Sequence, residues 1–148
     1  MRKWIDRLFC HEEIDGGKIC PTYLHRWTLL KCGEAFSVYL HHFVGDDWAL
    51  DPHDHPKTFT SIGLLGFYFE EDYADLERPR TVLWMAPWFR KFQPEHRHRI
   101  WMPKGGSCWT ICIVGRPQRE WGFWYHCEHW LPWKVYVKGG PGVERKAC

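Results

Sequence analysis

The sequence predicts an all-β fold, a sandwich or barrel of short strands. Three observations carry this. Aromatic and β-branched runs recur at a spacing of roughly 8–15 residues, with turn formers between them. Aromatics make up 18% of the chain, and eleven are tryptophan, a composition that favours strands and large flat pocket walls. Helical periodicity is confined to one short stretch at the start.

That stretch is the first ten residues, where Trp4, Ile5, Leu8 and Phe9 make a narrow apolar stripe and predict a short helix. The segment 15-DGGK-18 then marks a turn. Next come 23-YLHRWTLL-30 and 36-FSVYLHHFV-44, which read as a hairpin closed by a turn at Lys31 to Glu34. The stretch 45-GDDWALDP-52 is rich in turn formers and predicts a loop. Further strands are expected at 56–63, 66–71, 80–85, 96–102, 108–114 and 132–137. Turns at Gly63 to Gly66, Pro103 to Gly106 and Gly115 to Pro117 separate them.

The 148 residues suit one ordinary domain, which would bury roughly 70% of the surface of its unfolded chain. The expected layout is a single domain over 1–148, with an N-terminal segment 1–22, a barrel at about 23–137 and a tail 138–148. A formal net charge of +2, with Lys and Arg scattered rather than striped, implies neither a strong electrostatic partner nor a nucleic-acid surface. No apolar run approaches the roughly 18 residues of a membrane span. Seven cysteines, an odd number, follow a charged opening segment without an apolar signal core. A reducing cytoplasm with free thiols is the expectation.

The segment 51-DPHDHPKTFTS-61 places His53 and His55 two apart. In an extended chain alternate side chains share a face, so both imidazoles would point one way and Asp54 the other. Two neutral imidazoles side by side can share a divalent metal. A second pair with the same spacing, His96 and His98, lies in 92-FQPEHRHRIW-101. His53, His55 and His98 are the expected ligands. His41 and His42 are adjacent, so at most one of them can look into a shared site.

These motifs resemble the cupins. The pattern 53-HDHPKTFTSIGLLGFYFEE-71 is similar to the first cupin motif, and 94-PEHRHRI-100 to the second. The resemblance extends to small uncharacterised cupin-like proteins of phages and bacteria, through 23-YLH-25, 39-YLH-41, 53-HDHP-56, 98-HR-99, 109-WT-110 and 119-REWGF-123, in that order. It implies a double-stranded β-helix, the cupin jelly-roll barrel, open at one end and holding a metal on its inner wall. The carboxylate of the first motif should stand four residues beyond His55, where this chain has Phe59. Lys57 and Ser61 share that parity. Either three histidines hold the metal alone, or Glu70 or His96 adds a fourth ligand, or the metal is lost. Three neutral ligands leave the ion's charge uncompensated and favour an anionic substrate or a bound hydroxide. The cofactor implied is one divalent transition metal, Fe, Mn, Ni or Zn. Glu70, Tyr68 and His96 are candidate acids or bases. Lys57, Phe59, Ser61 and Trp109 are candidate ligand contacts.

Other clusters carry less. Cys108 and Cys112 in 108-CWTIC-112 would lie about 13 Å apart along a strand, too far to share a metal, and read as buried thiols. Cys127 sits between His126 and His129 without a second ligand pair at finger spacing. Arg116 and Arg119 flank Pro117 before 121-WGFW-124 and could hold an anion or stack on a ring. The plainer reading is a corner where Trp121 and Phe123 close the barrel.

Two functions follow. The first is a small metal-dependent enzyme of oxygenase, isomerase or lyase type, acting on a small, anionic molecule. The second is a non-catalytic module that captures a nucleotide or sugar, which the phage-like resemblance and the absent carboxylate favour. Metal-free histidine bases are a third option. The expected partner is a small molecule, with no membrane; a homodimer is left open.

Overall fold

The computed structural model describes residues 5, 8–15 and 21–139. The helix expected over the first ten residues lies mostly outside this range; Ile5 and Leu8 have helical backbone. The elements are β1 (Cys10–Ile14), β2 (Leu24–Cys32), β3 (Phe36–Phe43), β4 (Phe59–Asp72), β5 (Arg80–Met85), β6 (Trp88–Phe92), β7 (His98–Trp101), β8 (Cys108–Gly115), β9 (Gly122–Tyr125), β10 (His129–Pro132) and α1 (Trp133–Val137). The pairing runs β1-β2-β3-β8-β4-β5, with β6 and β7 also on β4, and β9 with β10 as a separate hairpin. Every ladder is antiparallel. Among the described residues no helix is long and apolar enough to cross a membrane.

Strand β4 organises the rest. Its first half, Phe59 to Gly63, lies between β8 and β6, and its second half, Phe67 to Asp72, between β5 and β7. The turn expected at Gly63 to Gly66 is instead a bulge inside one continuous strand, where the register on β8 shifts between Gly63 and Leu65. A bulge inserts one residue and reverses which side chains face inward. Ser61 and Gly63 are buried before it, Tyr68 and Glu70 after it. Two glycines make the crossing sterically feasible. At Gly63 a Cβ would overlap the Trp88 indole. At Gly66, with φ +82°, it would overlap the Ser107 carbonyl oxygen.

Two apolar clusters fill the interior. One gathers Leu24, Phe43, Tyr68, Trp88, Ile100 and Met102. The other joins Ala49, Phe123 and Tyr136, with Trp48 and Trp121 against them. The second explains why 132–137, expected as a strand, is helical from Trp133. The short helix buries Tyr136 completely, stacks its ring on Phe123 with centroids 4.0 Å apart, and lets its hydroxyl donate to Asp51 Oδ2 at 2.7 Å. Tertiary burial overrides the β-preference of 133-WKVYV-137. The strand expected at 96–102 begins only at His98, and β1, β6, β9 and β10 were not foreseen.

Asp54, at the centre of the His-Asp-His run, is fully buried and turned away from both histidines. It accepts the Gly122 N–H at 2.8 Å and the Trp130 indole N–H at 2.9 Å, and pairs with Arg119 at 3.1 Å. Arg119, a candidate anion contact, is thereby committed to a structural latch between the histidine loop and the β9–β10 hairpin.

Gly63→Ala should cost about 1–3 kcal/mol, the usual penalty for overpacking a filled core. In a Trp88→Leu background the same change should cost clearly less, because the overlapping ring is gone. Urea unfolding of the four chains in this cycle checks it.

Candidate metal centre

The backbone brings the histidines together before their side chains are considered. His53 N–H donates to the His98 carbonyl at 2.9 Å, and His98 N–H donates to the His53 carbonyl at 3.0 Å. This closed antiparallel bridge sets the two residues directly opposite each other, so their side chains leave the ladder on one side. His55 N–H donates to the Pro94 carbonyl at 2.9 Å, a second backbone bond to the same segment, out of register with the His53–His98 bridge. The segment from His53 to Thr58 is not part of a regular strand. The shared face of His53 and His55 thus comes from docking on the 94–98 segment.

The three rings form a near-equilateral set, with centroids 5.1 Å apart for His53 and His55, 4.9 Å for His53 and His98, and 4.9 Å for His55 and His98. His55 Nε2 lies 3.0 Å from His98 Nε2. One nitrogen of each ring falls within 4.8 Å of the other two. Burial, reinforced by the neighbouring imidazoles, holds His53 and His55 well below the ordinary histidine range, so both are neutral and offer lone pairs.

Glu70 fixes the third ring. His98 Nδ1–H donates to Glu70 Oε1 at 2.6 Å, which leaves His98 Nε2 as an acceptor facing His55. The carboxylate has no solvent exposure and is fully satisfied. Its Oε1 also accepts from His96 Nε2–H at 2.7 Å, and its Oε2 accepts from the Trp84 indole at 2.7 Å and from Arg90. Burial alone would raise this carboxyl. The hydrogen bonds from His96 and His98, with the nearby Arg90 charge, outweigh it and hold the group ionised below the usual carboxylate range.

Glu70, His96 and His98 also lie close enough to hold an ion. Their donor chemistry fits poorly, because Glu70 already receives four donors, one of them a guanidinium. A cation there would have to displace Arg90. The donor set of His53, His55 and His98 fits a divalent transition metal: three imidazoles converge, and one of them has Nδ1 engaged by Glu70 from behind.

A cavity of about 420 Å³ opens beside these rings. Lys57, Phe59, Ser61 and Tyr68 line it. Phe59 meets His55 edge-on with centroids 4.7 Å apart and stacks on Phe92 at 4.5 Å, so an aromatic wall occupies the place where the cupin carboxylate was sought. Three expected residues stand elsewhere. Glu70 is behind His98 and does not line the cavity, so it neither coordinates there as a fourth ligand nor reaches a molecule inside as acid or base. His96 sits in the turn before β7 and serves Glu70. Trp109 is on the opposite face of β8 from Cys112 and Val114, which do line the cavity, and stacks on His42 at 4.0 Å and Trp27 at 5.6 Å. Strand alternation places it outside. The same rule divides the adjacent pair: His41 faces the cavity and His42 faces Trp109.

Three features had no signal in the sequence reading. Asp47, in the segment read only as a loop, lines the cavity and places Oδ2 3.7 Å from His53 Nδ1. Its Oδ2 accepts the Ile100 N–H at 2.7 Å, and burial raises its carboxyl to about 6. Arg26 donates from Nε to His41 Nε2 at 3.1 Å and lies over the Tyr39 ring, which aims a fixed cation into the cavity. Glu70's own role was hidden, since its partners come from strands far apart in the chain. Cys108 and Cys112 are buried free thiols, which burial pushes up to about 12 and about 11. Among the described residues, Cys127 does not gather a ligand set with His126 and His129.

Glu70→Gln should weaken binding of a divalent metal about 10- to 100-fold, the usual effect of losing the carboxylate behind a ligating imidazole. The three imidazoles themselves are untouched by the change. Zinc titration of the two chains, each checked for native circular dichroism, measures the ratio.

No protein-family model and no curated protein sequence matches the chain. Solved structures do. The chain is similar to FeII HppE, with TM-score 0.55 and 14% identity over 71% of this chain, and it spans only 56% of that longer protein. It is similar to a variant of Streptomyces PAC13 with uridine, with TM-score 0.56 and 9% identity over 85% of this chain and 89% of that one. It also resembles an uncharacterized conserved protein with a double-stranded β-helix domain from Klebsiella pneumoniae, with TM-score 0.50 and 13% identity over 66% of this chain and 81% of that one. At these identities the likeness speaks to architecture, and with the antiparallel sheets already described it gives the chain a cupin-like double-stranded β-helix fold.

Proposed function

We propose that this chain is a small metal-dependent enzyme whose cavity binds an anionic small molecule beside a divalent ion. The observation that carries the reading is the convergence of three imidazoles, His53, His55 and His98, with Glu70 hydrogen-bonded to His98 Nδ1 on the side away from the cavity. FeII HppE, whose name includes a divalent metal, supports it by similarity of fold. A divalent ion held there would supply a Lewis acid, able to acidify water or polarise an oxygen of a bound molecule.

The chain's own residues have distinct roles in this reading. Arg26 and Lys57 bind the anionic group, Arg26 held in place by His41 and Tyr39. Phe59 and Phe92 exclude water from the His55 side. Tyr68 lines the cavity, and burial, with the nearby Glu70 charge, raises its hydroxyl well above the ordinary range. It therefore offers an O–H to a substrate oxygen and is not a base near neutral pH. Oxygenation, isomerisation and lyase chemistry are all compatible with these parts.

The cavity's size and aromatic walls favour a second reading, a binding module for a nucleoside-like ligand. The uridine named with PAC13 supports that by analogy of fold. Metal content separates the two. The purified chain should carry stoichiometric transition metal by elemental analysis, and His98→Ala should lose one ion per chain together with thermal stability, since a bound ion stabilises only the folded state. A metal-free native chain, or unchanged content in His98→Ala, would overturn the enzyme reading.

Phe59→Glu supplies a companion test. A carboxylate beside His55 adds charge neutralisation that imidazole lacks, so affinity for one divalent ion should rise. Equal affinities in a side-by-side titration would mean that the ring does not border the ion.

A further inference from the structure

Outside the cavity, on the other face of the sheet, a second group of ligand atoms converges. Among the described residues strand β1 is an edge strand paired with β2, with Glu13 opposite His25 and His11 opposite Trp27. On β2, Leu24 and Arg26 line the cavity, so His25 and Trp27 face away from it. His11 and Glu13, two apart on β1, come to that same outer face beside His25. His11 Nε2 lies 3.3 Å from His25 Nδ1, and Glu13 Oε1 lies 3.6 Å from the same nitrogen. All three ligand atoms fall within 4.8 Å of one another.

We infer that His11, Glu13 and His25 form a second divalent-cation site, of the zinc type, that clips the edge strand to the sheet. The separations of 3.3 and 3.6 Å from His25 Nδ1 are close to those between ligands of a four-coordinate zinc, roughly 3.3 Å for bonds near 2.0–2.1 Å. Two imidazoles and a carboxylate are a competent donor set for that ion, and one position is left for water. The rings are held for the task. His25 is buried, and His11 stacks on Trp27 with centroids 4.8 Å apart. The Thr22 hydroxyl donates to Glu13 Oε2 at 3.4 Å, which leaves Oε1 toward His25. An ion at this place would tie β1 to β2 across the ladder. Ile14, the residue after Glu13, lines the cavity, so the clip would also steady one cavity wall.

The test uses the untagged chain and zinc alone. His55→Ala, which weakens the cavity triad, should still bind one zinc per chain, and zinc should slow amide exchange in β1. Adding Glu13→Gln to His55→Ala should lower zinc affinity about tenfold or more and abolish that protection, and adding His11→Ala should do the same. Glu13 is half-exposed, so its replacement leaves the fold intact. Zinc binding in His55→Ala that is absent, or indifferent to both Glu13→Gln and His11→Ala, would overturn the site. The outcome is separable from the cavity reading. If the cavity takes no metal, the native chain binds one zinc that depends on Glu13 and not on His98.

Discussion

The structure depends on one buried charge. Glu70 has no solvent exposure, and a carboxylate in such a place is costly unless every lone pair is met. Here the donors arrive from four positions: Trp84 on β5, Arg90 on β6, His96 in the following turn and His98 on β7. None of these can shift without uncovering the charge. The requirement therefore fixes the mutual placement of β4, β5, β6 and β7. Removing either Arg90 or Glu70 would leave the other as an uncompensated charge, a loss on the order of 3–5 kcal/mol for buried pairs. The same hydrogen bonds set the tautomer of His98, so the interaction that closes the fold also prepares the candidate metal ligand.

A single bulge lets β4 serve both ends of this arrangement. Before it, Phe59 and Ser61 face the cavity on odd positions. After it, Tyr68 and Glu70 face inward on even ones. Without the inserted residue, Glu70 would point to solvent or the aromatic wall would. The glycines at 63 and 66 allow the shift because the Trp88 ring and the Ser107 carbonyl occupy the space a side chain would need.

Division of labour within His53-Asp54-His55 follows the same physics. The outer pair of imidazoles converges on the cavity, while Asp54 turns back and anchors the loop to the β9–β10 hairpin. A loop that carries ligands must be held from behind, because the ordering entropy of an untethered segment would oppose their convergence. Asp47 performs a related service from the preceding segment, binding the Ile100 backbone and standing beside His53.

The sequence by itself determined what is local. Alternation, turn residues and aromatic content specified an all-β chain and a hairpin at β2 and β3, and the spacing of His53 and His55 marked them as a pair. Alternation also separated His41 from His42. Phe59 was placed on the cavity wall by counting along an unbroken strand, although the strand begins only at Phe59; the ring reaches the wall through its stack on Phe92. What depends on contacts between distant segments was not legible. The bulge read as a turn, because glycines mark both. The 133–137 segment read as a strand, because its β-preference is local and the burial of Tyr136 is not. Trp109 was assigned to the cavity, yet the β3–β8 register sets it against His42 on the outer face. The role of Glu70 lay furthest from reach. A carboxylate in sequence carries no sign of whether water or four buried donors will surround it, and only the packing of β5, β6 and β7 around β4 decides that.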